Sequence, residues 1–115
     1  MAMGLVLVVE DDVEVARLLE RRLVEAGHEV LLAETAAQGV QRAVSEQPDA
    51  ILLELRLPRG GGPLALHYLR HSFRTSHIPV VVHDRLVGKD ASDREWLHAA
   101  MGSVQTGFQA TGAEP

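Results

Sequence analysis

Apolar and polar positions along this chain come in blocks of two periods. Leu5 to Val9 is an unbroken apolar run and reads as a central β-strand. Asp12 then stands as an N-cap for a helix from Val13 to Ala26, in which Val15, Leu19, Leu23 and Ala26 recur at helical spacing. Gly27 falls where a left-handed C-terminal residue is wanted. Glu29 to Ala33 predicts a second strand, and the capping box Thr35-Ala36-Ala37-Gln38 opens a helix that runs to Glu46, with Pro48 marking its exit. Asp49 to Glu54 predicts a third strand and Leu64 to His71 a helix introduced by Gly62-Pro63. Ile78 to His83 predicts a fourth strand, Asp90 to Ala100 a helix, and Ser103 to Gln105 a weak fifth strand.

Strand and helix in alternation with short connections predict a doubly wound α/β fold, a parallel sheet with helices on both faces. Ligands in such sheets bind at the carboxyl ends of the strands, near the point where strand order reverses. Glu10, Asp11, Glu54 and Asp84 all fall at such ends. The stretch Ile51-Leu52-Leu53-Glu54-Leu55-Arg56-Leu57-Pro58 is the sharpest case, an apolar run that delivers one carboxylate to the sheet edge. The acids of Glu10-Asp11-Asp12 end the first run in the same way, and neighbouring strands would make a small divalent-cation pocket of the two groups.

Composition narrows the choice. A length of 115 residues suits one domain, and aromatic residues are 3% of it, so aliphatic side chains must fill the core. A net charge of −5 argues against a nucleic-acid footprint, and the absence of cysteine excludes disulfides and thiolate chemistry. No apolar run approaches the length of a membrane span, and the start carries no basic, cleavable segment. The expectation is a soluble cytoplasmic protein without membrane or nucleic-acid partners.

From Gly4 to Phe108 the chain resembles the receiver domain of two-component response regulators, a flavodoxin-like or CheY-like fold. The domain expectation is therefore a receiver-like unit over 1–108 and a short tail over 109–115. In that resemblance Glu10 and Asp11 match the acidic pair that helps to hold Mg²⁺, and Arg56 would offer its backbone carbonyl to the metal. Glu54 stands where the family carries its phosphoacceptor Asp, Asp84 stands at the Ser/Thr switch position, and Thr106 replaces the Lys of the fifth strand. Phe108 matches the usual following aromatic residue.

These departures imply a pseudo-receiver of protein partners, without phosphoryl transfer, catalytic activity or a DNA-binding domain of its own. One methylene displaces the nucleophile by more than an ångström in a reaction that depends on in-line positioning. Thr106 cannot balance the charge of an acyl phosphate, and Asp84 would repel it. Two other readings remain open. Glu10, Asp11, Glu54 and the Arg56 carbonyl suit a module that responds to Mg²⁺ or Ca²⁺, and a longer carboxylate at Glu54 could imitate a phosphorylated Asp. A phosphatase of similar architecture needs Asp where Glu54 and Arg56 stand.

Several residues have plainer readings. His67 and His71 have the spacing of a helical zinc pair but no third ligand, so a solvated face is expected. Alternation sends one of His83 and Asp84 to the pocket and the other to a helix-covered face, and His83 is expected as a packed, hydrogen-bonded core residue. Gly60-Gly61-Gly62 lacks the Lys and Ser/Thr of a phosphate loop and is expected as a flexible connection. The residues after Phe108 show no apolar periodicity, so the last helix is expected to be missing. The flank of the fourth and fifth strands would then be bare and used for a homodimer or a tightly held partner.

Overall fold

A computed structural model describes residues 4–83 of the chain. It contains four parallel strands in the order β2-β1-β3-β4, with β1 at Leu5–Val9, β2 at Glu29–Ala33, β3 at Ala50–Glu54 and β4 at Val80–His83. The helices between them are α1 (Val13–Glu25), α2 (Ala36–Glu46) and α3 (Gly61–His71). The parallel doubly wound sheet is thus the one expected from the sequence. The predicted 90–100 helix, the fifth strand, the absent last helix and the dimer flank lie outside the described residues, as do Asp84 and Thr106.

The two central strands are apolar on both faces because each face meets helices. Val6, Val8, Ala50 and Leu52 pack with Leu19 and Leu23 of α1 on one side. Leu7, Val9, Ile51 and Leu53 pack with Ala43 of α2 and Ala65 and Leu69 of α3 on the other. Full burial of such a Leu, Ile or Val side chain contributes about 1.5–3 kcal/mol. The core is therefore a two-sided aliphatic layer, and it keeps the carboxyl ends of β1 and β3 in fixed register: Val9 pairs with Leu53.

Local chemistry sets the helix ends. The Asp12 carboxylate accepts from the Glu14 and Val15 amides at 3.0 and 3.2 Å, an N-cap that anchors α1 directly after the acidic residues. Gln38 N–H donates to the Thr35 hydroxyl at 3.1 Å, while the Gln38 side-chain oxygen accepts from the Glu34 amide at 3.0 Å, one residue earlier than an ordinary capping box. At the other end of α2, Gln47 takes a left-handed conformation at φ 50°. Its side chain donates to the carbonyls of Ala43, Val44 and Arg74, so it ties α2 to the turn before β4.

The triglycine run differs from the expected flexible loop. Pro58–Gly60 forms a 3₁₀ turn, and α3 begins at Gly61, three residues earlier than the apolar pattern predicts. Gly62 is pressed against backbone: a Cβ there would collide with the Leu55 carbonyl and stand 2.8 Å from the Glu54 oxygen. Glycine is required for contact, and apolar periodicity could not register it because a glycine adds no apolar side chain. Gly39 plays the same part in α2, where a Cβ would meet Val9 Cγ2 at 2.7 Å.

Two stability predictions follow from this packing. Gly62→Ala forces α3 off β3 and should cost about 1–3 kcal/mol, the usual cost of overpacking, read as a lowered urea midpoint. His28 is 5% exposed, and burial lowers its pKa below 6.5. The folded state then binds fewer protons than the unfolded one, so this contribution is complete above pH 6.5 and declines as pH falls below it. His28→Leu should flatten that part of the urea midpoint's pH dependence, and an unchanged slope would remove His28 from the account.

Candidate functional site at the carboxyl ends of the central strands

Strand order reverses between β1 and β3, so the crevice of this sheet opens at their carboxyl ends. Glu10 follows the last residue of β1, and Glu54 is the last residue of β3. Glu10 is 2% exposed and Glu54 is fully buried. Removing carboxylates from water is costly unless each is met by hydrogen bonds or opposite charge. Each is met by the backbone just beyond it. The Asp12 amide donates to Glu10 Oε2 at 3.1 Å, and the Arg56 amide donates to Glu54 Oε1 at 2.7 Å.

The other oxygen of each carboxylate turns toward His83. Its Nδ1 lies 3.5 Å from Glu54 Oε2, and its Nε2 lies 3.9 Å from Glu10 Oε1. The strand register explains this meeting. Glu54 pairs with His83 across β3 and β4, and paired residues of parallel strands project to the same face. The Leu55 amide donates to the His83 carbonyl at 2.8 Å and extends that pairing one residue past β3. His83 is 7% exposed, so the three residues form a buried polar cluster.

The arrangement corrects one expectation and refines the others. His83 is not packed away from the pocket but belongs to it, and the β3–β4 register supplies the signal that alternation alone lacks. Glu10 and Glu54 are brought together as expected. Asp11 is half-buried beside them and lines a shallow cleft with Thr35, Leu57 and Arg59. Arg56 contributes its amide to Glu54, and its side chain is exposed. The expected solvated face of α3 is present: His67 and His71 are exposed, with their rings stacked at a centroid distance of 4.2 Å.

One ligand atom each from Glu10, Glu54 and His83 lies within 4.8 Å of the others, so these residues can hold a divalent cation. The two carboxylates suit a hard oxygen-seeking ion such as Mg²⁺ or Ca²⁺. The imidazole suits a softer ion. Among the described residues no helix is long and apolar enough to cross a membrane.

The parallel α/β sheet gathers two acids at the carboxyl ends of its first and third strands, the place where such sheets bind ligands. Residues 6–95 match the response regulator receiver domain, and the chain belongs to that family. It is similar to the DNA-binding dual master transcriptional regulator RpaA of Synechocystis, with 32% identity over 99 residues, 80% of this chain and 41% of that protein. It is similar also to the KDP operon transcriptional regulatory protein KdpE of Escherichia coli, with 33% identity over 104 residues, 84% of this chain and 45% of that one. The chain thus spans less than half the length of these two relatives. Protein PilH of Pseudomonas aeruginosa aligns over most of both chains, with 32% identity across 83% of this chain and 84% of its own.

Solved structures agree on the fold. A sensor protein from Polaromonas sp. JS666 superposes with a TM-score of 0.78 at 21% identity, covering 93% of this chain and 97% of that one. The chemotaxis response regulator CheY4 of Vibrio cholerae gives 0.69 at 17% identity, covering 96% and 98%.

The cluster makes a stability prediction. His83→Leu replaces the nitrogens that both carboxylates face with an apolar group. Breaking one side of a buried polar set should cost about 3–5 kcal/mol. Adding Glu10→Gln should recover part of that loss, read from chemical denaturation at pH 7.

Proposed function

We propose that this chain is a phosphorylation-independent receiver module of two-component signalling, a pseudo-receiver that acts by protein–protein contact. The observation that carries the reading is the state of Glu54 at the end of β3. In the resemblance it stands at the position of the family's phosphoacceptor Asp, and it is fully buried. One of its oxygens is held by the Arg56 amide, and the other faces His83. An attacking carboxylate must be reachable by the donor and in line with the transferring phosphoryl group. A carboxylate engaged on both oxygens and one methylene too long meets neither condition. Asp84 and Thr106 stand at the switch and Lys positions of the resemblance, and neither supplies the charge that would balance an acyl phosphate.

Phosphoryl signalling in this family is supported by Mg²⁺, which neutralises charge on the transferring group. Here Glu10 and Glu54 would hold such an ion, with Asp11 and the Arg56 carbonyl as the remaining expected ligands. The partner is a protein, recognised through surfaces whose shape is set once rather than switched. A constitutive imitation of the phosphorylated state is the second reading, and the greater reach of the Glu54 side chain is what favours it.

The test is intact-mass spectrometry after incubation with Mg²⁺ and acetyl phosphate, with a Glu54→Asp variant alongside. The natural chain should gain no phosphoryl mass. A gain in the variant alone would assign the loss of acceptance to the extra methylene, whereas a gain in the natural chain would overturn the proposal.

A further inference from the structure

We propose that the groove between α2 and α3 is a docking site for an acidic amphipathic helix of a partner protein. The site rests on the reading of this chain as a module of protein–protein contact, and it holds whether or not phosphate is accepted.

The groove has a volume of about 610 Å³, and no charged side chain lines it. Ala36, Val40 and Val44 recur every four residues along α2 and form one wall, and Leu64 and Tyr68 of α3 form the other. Leu64 is 69% exposed and Tyr68 44%, while Ala65 and Leu69 on the inner side of the same helix are packed into the core. A contiguous apolar strip of this kind marks an interaction surface. Tyr68 suits its edge, because the ring is apolar and the hydroxyl stays wet. Each helix has 11 residues, roughly 16 Å of axis. A partner helix of similar length lying along the groove can insert its residues i, i+4 and i+7 between the two walls.

Charge decides the kind of helix. From Leu55 to His83 the chain carries Arg56, Arg59, Arg70 and Arg74 and no Asp or Glu, within a sequence of net charge −5. Arg59 stands at one end of the groove, in a cleft that it shares with Ala36 and Ala37. Arg74 stands at the other end, where Gln47, the residue that caps α2, donates to its carbonyl at 3.0 Å. The Arg74 guanidinium lies 5.6 Å from the centre of the ring of Phe73, a residue that is 83% exposed. Among the described residues no carboxylate forms an ion pair with Arg59, Arg70 or Arg74. Glu34 and Glu46, near the two ends of α2, do not line the groove.

A cation at each end of an uncharged apolar groove matches a ligand with an apolar stripe flanked by carboxylates. A nucleic acid would be held instead by cations along its backbone, and the lining supplies none.

The test is fluorescence anisotropy of the full chain with two synthetic helical peptides of about 16 residues. One carries a Leu stripe at i, i+4, i+7 and i+11 among Glu and Ala, and the other has Lys in place of every Glu. The Glu peptide should bind at least about 10-fold more tightly than the Lys peptide, by a margin that narrows as salt is raised. Leu64→Gln, at an exposed position and without a change of charge, should weaken the Glu peptide about 10-fold. Arg59→Glu with Arg74→Glu should reverse the preference between the peptides. Val24→Gln, on the exposed side of α1, should alter neither affinity. Failure of both peptides to bind, equal binding of the two, or binding indifferent to Leu64→Gln would overturn the proposal. Tighter binding of a single-stranded oligonucleotide of equal charge, lost in Leu64→Gln, would overturn it as well. So would a sedimentation coefficient that rises with concentration in the natural chain and not in Leu64→Gln, since a second copy would then fill the groove. The acetyl phosphate experiment reads mass alone, so a phosphoryl gain there leaves peptide binding intact, and the reverse holds.

Discussion

Two carboxylates buried side by side are the constraint on which the rest of this molecule depends. Glu10 and Glu54 are at most 2% exposed. Like charges withdrawn from water repel strongly, and the surrounding structure must answer that repulsion. Among the described residues, part of the answer comes from the amides immediately after β1 and β3 and part from the His83 ring on β4. The sheet order that puts β1 beside β3, and β3 beside β4, makes both parts possible. A slip of one residue in the β3–β4 register would turn His83 away and leave the acids facing apolar side chains.

The aliphatic layer serves this arrangement as much as it serves stability. Leu7, Ile51, Leu52 and Leu53 are fully buried, and α1, α2 and α3 clamp the central strands from both faces. Such a two-sided core leaves the strand ends little freedom. The close approaches at Gly39 and Gly62 belong to the same economy of space, since each lets a helix lie directly on the strand that carries an acid or leads to it. Membership of the receiver family explains the frame, and the β3–β4 register brings the His83 imidazole into the pocket.

Much of this was legible in the residues. The apolar runs and caps located the described strands and helices to within a few residues, because burial on both faces and N-cap chemistry are local signals. Glu10 and Glu54 could be paired in advance, since both end apolar runs that a parallel sheet must place side by side. His83 could not be assigned in the same way. Alternation told that either His83 or Asp84 enters the pocket, but the choice rests on which residue of β4 pairs with Glu54, a long-range register that no short window contains. The triglycine segment was misread for a related reason: Gly62 is fixed by a contact with the Leu55 backbone, and a missing side chain leaves no pattern.

The amide of Arg56 and the carboxylate of Glu54 are two residues apart, yet they join different parts of the protein. Glu54 ends the rigid strand, whereas Arg56 lies on the exposed turn that leads to α3. A shift of that carboxylate would release the Arg56 amide. One hydrogen bond thus joins a fully buried group to the exposed backbone that leads to α3, so the turn takes part of its shape from the interior of the sheet.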